Sequence, residues 1–456
     1  MVISNWLERL VDTVADHGRE LLGLLHDAEQ HDDRRLCNEL IKGQGEATNI
    51  ALAREILLRW HAKDTDEKLD FLLMLAAEFD PDPEAVLAAA KAYHPDDYET
   101  LARLTKVTEP PRQDLLRRLN MSKNGTAILV DMRSFLLEHL KSNPSLKKLD
   151  ADFQHLLVSW FNCGFLQLKR IDWDSPASVL EKLMRFEAVH PMQGWNDLHR
   201  RLADDRRCFG FFHPALPGQP LIFVEVALTS EISHSVAPLI DYDEPVQDIS
   251  KANSAIFYSI NNALTGLRGV SFGNFLIKQV ASELQQELPQ IKHFVTLSPI
   301  PGFRRCLESC NDNTCLNLLG DDAVEIMEKA GVDSLSAALD KLLTQKADQD
   351  IQVLLSRALK KMALFYLADS KRGDKAYDPV AHFHLSNGAM LYRINTFANL
   401  NDYGIKQSWG CMVNYYYDHA HIVANHEAYV SDGVIVMSRE LEKIHRQQKN
   451  SLQTKH

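Results

Sequence analysis

The apolar residues of this chain change period near Trp160, and that change restricts it to a two-part architecture. Before Trp160 they recur at helical spacing. Leu7, Leu10, Val11 and Val14 share one face of a helix that Asn5 can cap, with Glu8 placed as the reciprocal partner of a capping box. Asp82 followed by Pro83 marks another helix start: the carboxylate accepts from free first-turn amides, and proline there gives up no bond. Glu109-Pro110-Pro111 and Asn143-Pro144 interrupt the pattern. After Trp160 come short runs rich in β-branched and aromatic residues: CFGFFH, LIFVEVALT, AIFYSI, HFVTLS, AMLYRIN and CMVNYYY. Helical patterns separate several of them. The expected fold class is α+β, with an all-helical domain over residues 1–161 and a catalytic domain over 162–456. A second helical stretch, 321–367, reads as an insertion that returns the chain to the site.

A chain of 456 residues exceeds one core of ordinary size, which agrees with two domains. The formal charge of -12 argues against a nucleic-acid surface. No apolar run approaches the roughly 18 residues that span a bilayer. The first 20 residues lack the basic-then-apolar order of a secretory signal, and SLQTKH is not a peroxisomal tripeptide, so a cytoplasmic location is expected. Seven cysteines, an odd number, do not suggest a disulfide framework, and the spacing of Cys306, Cys310 and Cys315 is not that of a zinc site. The helical domain has no evident chemistry of its own, which suits dimerisation or support.

The most informative local feature is AIFYSINNALTGLRGVSFGNFLIKQVASELQQEL. A strand leads into a Gly-bearing loop, and the loop opens a helix whose Leu276, Val280, Leu284 and Leu288 form one buried stripe. Gly269 and Gly273 flank Val270-Ser271-Phe272 and let the backbone approach a ligand. The free amides at the start of the helix, with its dipole, make an anion site. This is neither a dinucleotide fingerprint nor a P-loop. It resembles the pyrophosphate loop of the GNAT acyltransferase fold, which takes coenzyme A on backbone amides.

Further segments extend the resemblance: EAVHPMQGWNDLHRRL, FVEVALT, HFVTLSPIPGF (293–303), DPVAHFHLSNGAMLYRIN (378–395) and SWGCMVNYYY (408–417). In this order they resemble the malonyl-CoA decarboxylase family, clearly from about Phe161 to Tyr417. The resemblance implies a GNAT-like, acyl-CoA-binding catalytic domain after the helical one. It also implies a homo-oligomer, a tetramer, assembled through the helical part. The family's catalytic serine falls on Ser298 and its histidine on His384. Its CoA loop falls on Arg268, Gly269, Val270, Ser271, Phe272, Gly273 and Asn274, and an active-site tyrosine falls on Tyr417. Ser271 departs from the family's glutamate, and RINTFANLN lacks the tryptophan and aspartate usual after Arg-Ile-Asn. An acidic role at position 271 is therefore not carried over.

Decarboxylation of malonyl-CoA to acetyl-CoA and CO2 needs a donor at the thioester oxygen and a proton for the new carbanion. The thioester itself accepts the electrons, so no metal or organic cofactor is expected. His384 is the expected proton donor, since an ordinary imidazole holds both forms near neutrality. Ser298, in a Pro-rich turn, hydrogen-bonds or deprotonates the substrate. Tyr417 adds a donor to the pocket. His382 and His384 alternate on a strand-like run, and Asn387-Gly388 reads first as a tight hairpin turn with a secondary binding role. Two other functions compete: a GNAT-type acyltransferase, which the glycine loop alone would permit, and a non-catalytic acyl-CoA sensor or scaffold built on the helical domain.

Overall fold

The computed structural model describes residues 32–453 except 44, 271–275, 310–311 and 345–347. The cap and stripe expected from Asn5 to Val14 lie outside the described residues. From Asp33–Lys42 to Lys147–Trp160 the chain forms eight α-helices among the described residues. Their starts follow the sequence signals. The Asp82 carboxylate accepts from the Glu84 amide at 3.0 Å, with Pro83 first in the helix Pro83–Ala92. Asp64 and Glu67 form a capping box at the head of Thr65–Glu78. Pro110 and Pro111 separate Tyr98–Thr108 from Pro111–Asn120. Leu52, Leu72, Leu75, Leu115, Leu129 and Leu157 are fully buried in this region. Beside them Arg112, also buried, pairs with Asp80 and Asp152.

The chain divides into two compact units that do not follow chain order. One comprises Met1–Gln167, Phe212–Leu221 and Leu264–Phe272; the other comprises Leu168–Phe211, Ile222–Ala263 and Gly273–His456. The segment Leu264–Phe272 thus belongs with the helices.

The α+β class holds. Every apolar run expected as a strand is one, in a sheet of eight strands among the described residues: β1 (Gln167–Ile171), β2 (Arg206–Phe212), β3 (Pro220–Thr229), β4 (Ser254–Asn262), β5 (His293–Thr296), β6 (Ser298–Pro299), β9 (Met390–Asn395) and β10 (Met412–Tyr416). A separate pair, β7 (Lys371–Arg372) and β8 (Lys375–Ala376), forms a small ribbon. The order is β1-β2-β3-β4-β5-β10, and β10 also pairs with β6 and β9. β5 and β6 are consecutive pieces of one extended segment. Tyr416 faces Val295, and Val413 faces Ser298 in the same antiparallel register. Ala227, Ile256, Val295, Leu297 and Met412 pack as one buried cluster.

Two features of this sheet position the site. β4 pairs with β5 in parallel only from Ser254 to Phe257, opposite His293 to Thr296. Beyond Phe257, β4 continues to Asn262 against β3 alone, so the sheet splays open there. A bulge in the β3–β4 ladder between Glu225 and Val226 leaves Tyr258 without a register partner, which bends β4 at the same point.

The expected helical insertion is present as Asp321–Ala330, Leu335–Thr344 and Gln349–Ala368. The strand-like reading of His382 and His384 is corrected: Pro379–Ser386 is an α-helix. The Asp378 carboxylate accepts from the Val380 and Ala381 amides at 3.0 and 2.9 Å, and Pro379 is the first helical residue. This is the signal that Asp82-Pro83 carries, and here the local cap wins over the alternating pattern. Asn387-Gly388 accordingly ends a helix rather than joining two strands. Gly388 has φ +82°, and a Cβ there would run into the Ile422 carbonyl. No helix among the described residues is long and apolar enough to cross a membrane.

Candidate active site

Ser298 and His384, 86 residues apart in sequence, meet at 2.9 Å between Oγ and Nε2. Each is placed by a local device. Ser298 follows a kink in the β5–β6 segment, where the Tyr415 amide donates to Thr296 Oγ1 at 3.1 Å and the Thr296 carbonyl accepts from Asn414 Nδ2 at 2.7 Å. The Thr296 side chain thus takes a ladder amide, and the next residue but one is turned toward the splay. Ser298 Oγ also donates to Thr296 Oγ1 at 2.9 Å. His384 lies one turn into a helix whose start Asp378 fixes. Asp378 is itself buried, and its second oxygen accepts from Tyr366 Oη at 3.2 Å.

On its far side the His384 ring is held twice. Nδ1 lies 2.8 Å from Tyr417 Oη, and the ring stacks on Tyr415 at 4.6 Å and 24°. Burial drives the His384 pKa down to about 3 and raises that of Tyr417 well above its ordinary value. The resting imidazole is therefore neutral and the phenol keeps its proton. The expectation that both imidazole forms coexist is corrected for the free protein, because no carboxylate or other anion offsets the desolvation.

The pair faces a cavity of about 280 Å³ at the splay. Apolar side chains supply most of its wall: Ile222 and Val224 from β3, Phe257 and Ile260 from β4, and Val380 and Phe383 from the His384 helix. Pro379, Val380, Phe383 and His384 share one helix face. Ser298, His384, Ser259 and Asn262 bring polar groups. Neither Tyr417 nor Asn387 is among its described lining residues. Tyr417 stands behind His384, and Asn387 Nδ2 donates to the Phe383 carbonyl at 2.7 Å.

Of the expected phosphate loop, Ser271, Phe272, Gly273 and Asn274 lie outside the described residues. Arg268 and Gly269 are exposed, Val270 is buried, and Gly269 has φ +81°. The helix Leu276–Glu287 buries Leu276, Val280 and Leu284 as the stripe requires.

Sequence reasoning missed a second polar cluster at the cavity. Ser259 Oγ donates to Glu187 Oε2 at 2.7 Å, as does Asn261 Nδ2 at the same distance. The other Glu187 oxygen accepts from the Val189 and His190 amides at 2.9 and 2.7 Å. Burial, then Glu225, raises the Glu187 pKa to about 7. Glu187 sits in the EAVHPMQGW segment, but nothing in its local pattern announces a buried carboxylate. Among the described residues no three His, Cys, Asp or Glu side chains are grouped to hold a metal.

Comparison with known proteins agrees along most of the chain. Residues 164–455 match the family profile described as the malonyl-CoA decarboxylase C-terminal domain, and residues 79–161 match that of the N-terminal domain. The mitochondrial malonyl-CoA decarboxylase of Anser anser anser is 39% identical over 347 residues, covering 73% of this chain and 69% of the relative. The Rattus norvegicus protein of the same name is 36% identical over 335 residues, covering 69% and 67%. The crystal structure of malonyl-CoA decarboxylase from Rhodopseudomonas palustris superposes with a TM-score of 0.82 at 43% identity, covering 90% of this chain and 98% of that one.

Proposed function

This chain belongs to the malonyl-CoA decarboxylase family and is a carboxy-lyase converting malonyl-CoA to acetyl-CoA and CO2, and we propose that Ser298 and His384 carry that reaction. The observation behind the assignment is their hydrogen-bonded pairing on an apolar cavity at the sheet splay.

When the bond between C2 and the carboxylate breaks, its electron pair moves into the thioester, CO2 leaves, and one proton must reach C2. An apolar wall favours this, because a carboxylate is poorly solvated there while neutral CO2 is not. Ser298 turns its hydroxyl hydrogen from Thr296 to the thioester oxygen, where negative charge develops. His384 supplies the proton from Nε2. A neutral imidazole is a poor acid, so the substrate must change its state. A malonyl carboxylate about 4 Å from the ring contributes about 4 kcal/mol at an effective dielectric near 20. That is enough to lift the imidazole well above its resting value of about 3 and toward the ordinary imidazole range. Substrate binding thus brings in the proton that the reaction consumes. The Tyr415 face and the Tyr417 oxygen both stabilise the imidazolium.

Tyr417→Phe should leave Nδ1 without its partner and lower kcat about tenfold, the equivalent of one ordinary hydrogen bond. Steady-state assay at neutral pH checks this; a kcat equal to the parent's would remove Tyr417 from the mechanism. The activity itself is checked by incubating the purified protein with malonyl-CoA alone. Acetyl-CoA and CO2 should form without an acceptor. Transfer only to an added amine, or binding without turnover, would contradict the assignment.

The splayed β4 and the Gly269 turn support a GNAT-like catalytic domain with residues 268–274 as the CoA phosphate cradle. The proposal extends to a cytosolic homo-oligomer, a tetramer joined through the helical region. Tyr98 and Leu87, on helices there, are 80% and 60% exposed and fit such contacts. Light scattering should give four times the chain mass of 51.8 kDa; a monomeric mass would overturn the assembly, and recovery from an organelle fraction the location.

A further inference from the structure

Between β4 and the helix Leu276–Glu287, the segment Leu264 to Gly269 has one 3-10 turn, Thr265–Leu267, as its regular structure, and each of its six carbonyl groups has a donor. The Leu264, Thr265 and Leu267 carbonyls accept from the Leu267, Arg268 and Val270 amides at 3.0, 2.9 and 3.0 Å. The remaining three are taken by side chains of the helical region. Arg133 Nη1 donates to the Gly266 carbonyl at 2.8 Å and to the Arg268 carbonyl at 2.9 Å. Gln154 Nε2 donates to the Gly269 carbonyl at 3.0 Å. Arg133 is 2% exposed, and its Nε is held by Asp150 Oδ1 at 2.8 Å. Contact is so close that a Cβ on Gly266 would strike the Val130 carbonyl.

We infer that Arg133, assisted by Gln154, is a positioning residue for the CoA phosphates. It draws the loop carbonyls onto the helical region, so that the Arg268 side chain and the turn at Gly269 are presented on the other side. An oxyanion is repelled by a free carbonyl oxygen and attracted by amides and guanidinium groups. A segment whose carbonyls from Leu264 to Gly269 have donors keeps that preference without reorganising when the ligand arrives. One guanidinium can serve both carbonyls and Asp150 because its donors form a rigid fork; a lysine ammonium cannot hold that geometry. The inference rests on the reading of residues 268–274 as the phosphate cradle. It gives the helical region a part in substrate affinity as well as in assembly.

The contacts are remote from the bond that breaks, so they should hold ground state and transition state alike. Arg133→Lys should raise KM for malonyl-CoA, and the inhibition constant of CoA, about tenfold, with kcat within about threefold of the parent. Gln154→Ala, which releases one carbonyl, should give a smaller change in the same direction. The discriminating measurement uses malonyl-pantetheine, a substrate without the nucleotide and its phosphates. On it, the Arg133→Lys effect should shrink to less than about threefold. An equal loss on both substrates, or unchanged CoA inhibition in Arg133→Lys and Gln154→Ala, would overturn the inference. Arg268→Ala separates this from the underlying reading. If it weakens CoA while Arg133→Lys does not, only the positioning role fails. If neither variant weakens CoA, the loop is not the cradle.

Discussion

Ser298→Ala and His384→Asn should each lower kcat for malonyl-CoA by about 100-fold or more, with little change in KM. Removing the Ser298 hydroxyl takes away a donor that meets its full partner only when charge has moved onto the thioester oxygen. Such a donor contributes to the transition state more than to the bound substrate. Removing the His384 ring takes away the proton source and leaves Tyr417 Oη and Ser298 Oγ without a shared partner. The two are one hydrogen-bonded unit, so the double variant should be scarcely worse than the poorer single one. Steady-state assay of the purified variants decides; turnover near the parent's in either would withdraw its role.

The same assignment fixes a pH profile. In the complex the imidazole must carry its proton, so kcat should fall as pH rises through the raised pKa of the bound imidazole. The free protein holds the His384 ring neutral down to about pH 3, so His384 itself should show no titration near its ordinary 6.5 there. Glu187, hydrogen-bonded to the cavity residue Ser259, has its pKa raised to about 7. Glu187→Gln should therefore leave the kcat limb in place, and His384→Asn should abolish it. An alkaline limb surviving in His384→Asn would show that the proton comes from elsewhere.

Much of this was legible before any coordinates. The strands AIFYSI and CMVNYYY are β4 and β10 because short runs rich in β-branched and aromatic residues suit a strand buried on both faces. Ser298 and His384 were legible only through their joint occurrence with the surrounding segments. A lone serine before proline, or a lone histidine, carries no such signal. The helix at His384 was misread because VAHFHL alternates like a strand, while the decisive instruction, Asp378-Pro379, is a cap rather than a period. The placement of Tyr417 behind the ring, and of Asn387 on its own helix carbonyl, depends on which way a side chain leaves its element. Glu187, Ser259 and Asn261 converge from segments 72 and 74 residues apart. So do Arg133 and the loop carbonyls it holds, 133 and 135 residues away. Contacts at that separation leave no periodic trace.

The largest expected loss of stability lies at another such contact. Arg201 Nη1 donates to Glu225 Oε2 at 2.6 Å, with the two side chains 2% and 0% exposed. Arg201 also donates to the His190 carbonyl at 3.1 Å and lies 5.4 Å over the Tyr258 ring. Breaking a buried pair by removing one partner costs about 3–5 kcal/mol, because the remaining charge stays desolvated and unpaired. For a unit of this size that is a fall in Tm of roughly 6–20 °C. The two halves should not be equal. Glu225→Leu leaves Arg201 beside Glu187, which the Glu225 charge had helped to keep protonated. With Glu225 gone, Glu187 ionises more readily and partly neutralises the guanidinium. Arg201→Met leaves Glu225 without its ion-pair partner and with the Glu187 carboxyl close by, so it should be the more damaging. The double variant, apolar at both positions, should be more stable than either single one. The sign of the pH effect follows from the same groups. A carboxyl whose folded pKa is raised from 4.5 to about 7 contributes stability below pH 4.5 that is lost as pH rises through 7. In Glu225→Leu that loss should be smaller, giving a shallower fall in stability from pH 4.5 to 7. Thermal and urea unfolding of the three variants across that range tests all of this. A Glu225→Leu protein less stable than Arg201→Met, or one with the parent's pH slope, would mean that Glu187 does not respond to the pair.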